Sequence, residues 1–356
     1  MQLLRSTWSV APFFVAALAL GACGETADGG DGLGGAPGAG GTVGVGGTAG
    51  TGGTGAGGTG TGGAPSKTGP RVVGYLPTYR NMDPAALDWA TLTHLDIAFA
   101  NSMDGGGVDF DSGARESIAP LVQKAHENGV KVLASIAGAA GGAAVSGRIT
   151  PGNVDAYVTA LLDMVSRYQL DGIDVDIEGE YVNGDYEPFV IKLSAALPAD
   201  KLLTAAVATW NGDDFSSAAL AEYDFINVMS YDHCGTWTDA CEHSSLADTN
   251  SELAYWSGER AIPANEVVVG VPFYGYRWGG GTSDAVTYGE LVLSFPQAKT
   301  TDWFVVGGDT YSLNSATTIA TKAQLAQQYG GIMIWELGQD ATGADSLMKV
   351  IADAQP

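Results

Sequence analysis

From Arg71 onwards, short apolar runs alternate with segments of helical period. Val72-Val73-Gly74-Tyr75 and His94-Leu95-Asp96-Ile97-Ala98-Phe99-Ala100 are the first two strand candidates. Ile118, Leu121, Val122 and Ala125 share one helix face, and Asn128-Gly129 is a fitting stop for that helix. Lys131 to Ile136 follows as the third strand. Thr150 as N-cap and Pro151 at the first helical position open a helix carrying Val154, Tyr157, Leu161, Met164 and Val165. Leu202 to Ala208, Phe225 to Tyr231, Val267 to Phe273 and Gly331 to Trp335 are the fifth to eighth strands. Helices are expected over Asp185 to Leu197, from an Asn250 cap to about Trp256, over Ala316 to Tyr329 and around Leu347 to Ile351.

The fourth strand differs from the rest. In Leu170-Asp171-Gly172-Ile173-Asp174-Val175-Asp176-Ile177-Glu178, Ile and Val alternate with acids at period two. A strand of this pattern turns Asp174, Asp176 and Glu178 to one face, with neighbours roughly 6.5–7 Å apart. Like charges held that close resist full ionisation, so at least one carboxyl stays protonated towards neutral pH. General acid catalysis requires such a group. The alternative is a calcium loop of EF-hand type, with Asp174, Asp176 and Glu178 at alternate positions and Asp185 at the twelfth. Its fifth position is Glu, its twelfth is Asp, and Ile and Val stand where a solvated loop is polar, so it fits less well.

Eight apolar strands separated by helices argue for a parallel (β/α)8 TIM barrel, whose active site lies at the C-terminal strand ends. Glu178, Tyr231 with Asp232, and Trp335 all fall at such ends. An open doubly wound sheet would not gather them at one mouth. A short insertion, with strand-like pieces such as Trp303 to Val306, separates the seventh strand from its helix.

Composition narrows the partners. The formal net charge is −24, with no basic cluster, which argues against nucleic acid and anionic membrane surfaces and for a neutral substrate. Residues 1–22 read as a signal peptide, with Arg5 ahead of an apolar stretch from Trp8 to Leu20 that is too short to span a bilayer. Leu20-Gly21-Ala22-Cys23 resembles the lipobox of bacterial lipoproteins, in which Cys23 is lipidated. Cleavage after Ala17-Leu18-Ala19, releasing a secreted protein, is the alternative. Residues 23–68 are a Gly/Thr-rich linker, with 20 glycines between Gly29 and Gly63, leaving 69–356 to fold as the barrel. The expected location is outside the cell's inner compartment: anchored to an outer membrane or cell surface, or secreted. A monomer is expected.

Four motifs carry a resemblance. Asp171-Gly172-Ile173-Asp174-Val175-Asp176-Ile177-Glu178 matches DGxDxDxE, and Met229-Ser230-Tyr231-Asp232 matches MxYD. Gly270-Val271-Pro272-Phe273-Tyr274-Gly275 matches GxPxYG, and Gly331 to Trp335 matches a GGxMxW ending. In this order the chain resembles glycoside hydrolase family 18, the chitinase-like barrels. The resemblance implies retaining, substrate-assisted hydrolysis of β-1,4-linked N-acetylglucosamine, with no cofactor and no metal. It makes Glu178 the acid, Asp176 the group that stabilises an oxazolinium ion, and Asp174 the partner that shares its proton. It places Tyr231, Asp232, Trp335 and Tyr274 at the sugar, with Tyr75 and Ser135 supporting Asp174. The third strand departs from the pattern: Ser135-Ile136-Ala137-Gly138 replaces SxGG.

The expected partner is chitin or N-acetylchitooligosaccharides. Peptidoglycan, the chitobiose core of N-glycans, and a chitin-binding lectin are the alternatives. Cys234 and Cys241 are expected to form a disulfide in an exported chain, with a zinc site involving His233 and His243 as the rival. Trp210, Trp237 and Trp278 follow strands five, six and seven and are candidates for further sugar subsites or for loop packing. Phe99 and Met229 are expected in the barrel core.

Overall fold

The computed structural model describes residues 69–354. The expected signal peptide, Cys23 and the linker lie outside the described residues.

The strands are β1 (Arg71–Pro77), β2 (His94–Ser102), β3 (Val108–Asp109), β4 (Lys131–Ala137), β5 (Gly172–Asp176), β6 (Leu202–Val207), β7 (Phe225–Val228) and β8 (Val267–Pro272), followed by β9 to β12 of the insertion and β13 (Gly331–Trp335). Eight of them pair in parallel in the order β1-β13-β8-β7-β6-β5-β4-β2, and β2 pairs back to β1 to close the barrel. The helices are α1 (Arg115–Glu127), α2 (Gly138–Ser146), α3 (Val154–Tyr168), α4 (Tyr186–Ala196), α5 (Ser217–Leu220), α6 (Leu246–Ala254), α7 (Tyr288–Ser294), α8 (Ala316–Ala326) and α9 (Leu347–Ala354).

Alternation decides which side of each stave meets the helices. Ile173, Val175 and Ile177 join the main core beneath the helices, with Leu161 and Val165 of α3 and Phe189 and Leu193 of α4. Each such side chain, wholly removed from water, contributes roughly 1.5–3 kcal/mol. The other face of the staves fills the barrel interior, where Val73, Tyr75, Ala98, Phe225, Val268 and Met333 form a separate cluster. Asp171 works at the opposite end of β5 from the mouth. Its carboxylate accepts from Val132 N at 2.9 Å, His126 Nε2 at 2.7 Å and Lys131 Nζ at 3.0 Å, tying β5 to β4 and α1. The first acid of the signature is therefore a structural clamp.

Several boundaries differ from the sequence reading. Thr150-Pro151 forms a turn ahead of α3, whose N-cap is Asn153. Ser245, not Asn250, caps α6, accepting from Asp248 N, while Asn250 lies inside that helix with its side chain on Leu246 O. Asn250 and Ser245 are both good cap residues, and the buried face of Thr249, Glu252 and Leu253 favours the earlier start. Helix α2 was not anticipated, because Gly138-Ala139-Ala140-Gly141-Gly142 has no apolar period. The insertion is β9 (Tyr274–Gly279), β10 (Thr282–Thr287), α7, β11 (Trp303–Val306) and β12 (Asp309–Leu313), and its strands make one antiparallel sheet ordered β10-β9-β12-β11. Thr287 and Glu290 close a capping box at the start of α7. Among the described residues no helix is long and apolar enough to cross a membrane.

Candidate active site

Three strands converge on Asp174. Tyr75 of β1 donates its hydroxyl to Oδ2 at 2.8 Å, Ser135 of β4 donates to the same oxygen at 2.8 Å, and Thr204 of β6 donates to Oδ1 at 2.7 Å. Register accounts for the convergence, since Asp174 pairs with Ser135 on one side and Thr204 on the other. Asn227 of β7 in turn donates to the Tyr75 oxygen at 3.2 Å. Burial raises the Asp174 pKa and these donors oppose the rise. Ala137, where the third strand departs from SxGG, has φ +76°, a region that favours glycine, yet Ser135 still reaches Asp174.

Asp176 lies two residues further along the same face and is 4% exposed. Its Oδ1 is buried without a hydrogen-bond partner. Burial, then the charges of Glu178, Asp174 and Asp96, drive its pKa well above the usual carboxylate range. The rise is greater at Asp176 than at Asp174, whose three donors oppose it.

β5 ends at Asp176, so Glu178 stands just beyond the strand. Its backbone remains extended (φ −114°, ψ 156°), which preserves the period-two direction. Its carboxyl is densely surrounded by protein yet keeps some open surface at the floor of the mouth. Burial, and secondly the charge of Asp232, push its pKa up to about 7. A carboxylic acid reachable from solvent and still largely protonated at neutral pH is equipped to protonate a leaving group.

Tyr231 and Asp232 also lie past their strand, which ends at Val228. The Tyr231 hydroxyl makes a weak contact with Met333 Sδ at 3.9 Å. Its pKa is raised first by burial, then by the charges of Asp176, Asp232 and Glu178. Asp232 has φ +62°, and its Oδ1 accepts from Tyr274 at 2.6 Å and Tyr276 at 2.9 Å. The Tyr274 hydroxyl is thus engaged in holding Asp232. Trp335 ends β13, its ring 5.4 Å from Tyr75 and stacked on Phe99 at 5.8 Å. Phe99, expected in the core, is half-buried at the mouth, where a side chain on Gly138 would strike its ring.

The sequence reading missed Thr204, Asn227 and Tyr276, along with Asp96 deeper in the barrel. Each sits in an otherwise apolar or aromatic run without a motif of its own; register brings Thr204 beside Asp174, Asn227 reaches it through the Tyr75 oxygen, and Tyr276 meets Asp232 from the insertion. Cys234 and Cys241 are joined as a disulfide, closing the loop that follows Asp232. Trp278 donates its indole N–H to Gly235 O at 3.0 Å and packs within that loop, whereas Trp210 and Trp237 are 63% and 39% exposed. Tyr274, Tyr276 and Trp278 alternate along β9, with adjacent rings 5.7 Å apart, so the insertion supplies an aromatic wall.

The model of glycosyl hydrolases family 18 matches residues 71–340, and the chain belongs to that family. The fold matches the crystal structure of the GH18 chitinase ChiB from the chitin utilization locus of Flavobacterium johnsoniae, at 33% identity and a TM-score of 0.74, over 81% of this chain and 94% of that one. A GH18 chitinase from Cycas revoluta, crystallised with (GlcNAc)3, shares the fold with a TM-score of 0.70 at 21% identity, covering 80% and 99% of the two chains. A chitinase-like effector of Moniliophthora roreri is 28% identical over 230 residues, which is 56% of this chain and 57% of that protein. The chain thus spans little more than half of that relative's length.

Proposed function

We propose that this family 18 barrel is a chitinase that hydrolyses β-1,4-linked N-acetylglucosamine with retention, using the substrate's own acetamido group as nucleophile. The observation that carries the reading is Glu178, a carboxyl pushed up to about 7 at the open end of the barrel, two residues beyond Asp176, whose own pKa is driven well above the carboxylate range. Glu178 gives its proton to the bridging oxygen as the acetamido carbonyl attacks the anomeric carbon. Asp176, free at Oδ1, turns to the acetamido N–H and stabilises the oxazolinium ion. Asp174, fixed by three hydroxyls, supplies the negative charge behind it. Tyr231 donates to the acetamido carbonyl, Asp232 binds a sugar hydroxyl, and Trp335 gives the reacting sugar an apolar floor. Glu178, now a carboxylate, then draws a proton from the water that opens the oxazolinium ring.

Two further points belong to the same proposal. The insertion spans about forty residues, which supports endo-type action on soluble or amorphous chitin. The Cys234–Cys241 disulfide and the lipobox-like Leu20 to Cys23 support export, with Cys23 as lipid anchor and the glycine-rich segment as tether.

The test is the full chain incubated with N-acetylchitooligosaccharides and with peptidoglycan fragments, the first anomer formed being followed by proton NMR. Cleavage of the chitooligosaccharides with β product appearing first is the expected result. Initial α product, or cleavage of peptidoglycan fragments alone, contradicts the reading; binding without cleavage makes the protein a lectin.

A further inference from the structure

Tyr231 and Asp232 lie past the end of β7, outside its ladder, so something other than the strand must hold them. Two hydrogen bonds bracket the pair, and both involve the dipeptide His243-Ser244. Ahead of the pair, Ser244 Oγ donates to Ser230 O at 2.6 Å, fixing the peptide that leads into Tyr231. Behind it, His233 N donates to His243 O at 3.1 Å. The His243 ring lies 5.4 Å from that of Tyr274 and 5.1 Å from that of Tyr276, with Nδ1 3.6 Å from Asp232 Oδ1. Ser230 is pinned a second time, its hydroxyl 2.7 Å from that of Thr249 on α6.

The dipeptide is held in turn by the two elements that follow the insertion's last turn. From β12, Ser312 Oγ accepts from His243 N at 3.1 Å, and Asn314, just beyond that strand, donates Nδ2 to Ser244 O at 2.7 Å. From α8, Lys322 Nζ donates to Ser244 O at 2.9 Å and to Ser244 Oγ at 2.8 Å. Lys322 shares the buried face of α8 with Ile319, Ala323 and Ala326 and is 0% exposed. Taking a lysine amine wholly out of water costs stability, and an apolar side chain would fill that face without the cost. Burial pushes its pKa down to about 7, against the charges of Glu252, Asp302 and Asp248. What it touches gives it a use. As donor to Ser244 Oγ, it leaves that hydroxyl's own proton for an acceptor, and Ser230 O at 2.6 Å is nearer than Asn314 Oδ1 at 3.2 Å.

We propose that Lys322 is a positioning residue for the reaction, holding Tyr231 and Asp232 at the mouth through His243-Ser244. It meets no substrate. Its hydrogen bonds set the direction of the Ser244 hydroxyl and the place of the His243 carbonyl, and these fix the chain on either side of the pair. The inference rests on the reading of Tyr231 and Asp232 as groups that meet the sugar.

The test is kcat/KM against pH on N-acetylchitooligosaccharides. The acids beside Glu178 are Asp176 and Asp232, and the Asp232 charge is the second cause, after burial, of a Glu178 pKa near 7. An Asp232 held less firmly raises Glu178 less. The alkaline limb of the profile is therefore expected about half a pH unit lower in Lys322→Met than in wild type, with kcat down about tenfold. Loss of the lysine's own charge acts the other way, and a smaller folded fraction scales the profile without moving its limb. In an Asp232→Asn background, Lys322→Met is expected to move the limb no further. Ser244→Ala cuts the same link with no change of charge and is expected to lower the limb likewise, which carries the test should Lys322→Met not fold. A limb that stays in place or moves up in either variant, or a full shift on top of Asp232→Asn, overturns the proposal. Should the wild type cleave no chitooligosaccharide, the chitinase reading fails, while carbon-13 NMR of the Glu178 carboxyl still follows the same pKa shift in the same variants.

Discussion

Glu178 shows how one side chain acquires a chemical role from its surroundings. Burial first, and the nearby Asp232 charge second, hold its pKa at about 7. In the proposed role the acid form is the working one, so kcat/KM should fall about tenfold per pH unit above 7, which a pH–rate profile measures. The same shift has a stability cost. The folded pKa exceeds the unfolded one, so the contribution is intact below about pH 4 and is lost as pH rises through 7. Glu178→Gln should therefore melt higher than wild type at pH 8 and at nearly the same temperature at pH 4. Ala137 carries a different cost: a Cβ at φ +76° is strained by about 1 kcal/mol or more. Ala137→Gly should raise Tm, since relief of that strain outweighs glycine's extra freedom in the unfolded chain.

At the scale of elements, the β5 sequence dictates its own geometry. Ile173, Val175 and Ile177 anchor one face in the core, leaving Asp174, Asp176 and Glu178 only the other. That pattern is local, so the acids, Tyr231 and Trp335 were legible before any coordinates. Thr204 and Asn227 were not, because their role comes from pairing register between β5, β6 and β7, a non-local property. The insertion was half legible: Trp303 to Val306 announces a strand, but the partners that make a four-stranded sheet are spread from Tyr274 to Leu313. Helix α2 hides in small residues, and its first glycine has a steric reason. A Cβ on Gly138 would lie 2.3 Å from the Phe99 ring. Gly138→Ala should thus displace Phe99 from Trp335 and raise KM severalfold with a smaller change in kcat, as steady-state kinetics would show.

Over the whole molecule, the barrel separates stability from chemistry by direction. Clamps such as Asp171 with His126 and Lys131 lie at the far end of β5, and the groups proposed to meet substrate lie at the mouth. The eightfold alternation of period two with helical period made this architecture readable, and the membership of family 18 agrees with it. The excess of negative charge belongs to the exterior as well as the site, and it suits a neutral sugar polymer. The central claim is that the Glu178 proton is delivered to a bridging sugar oxygen. Glu178→Gln, assayed beside wild type on N-acetylchitooligosaccharides with binding followed by calorimetry, tests it most directly. The account predicts a loss of about two to four orders of magnitude in kcat with the dissociation constant nearly unchanged. An unchanged kcat would contradict it.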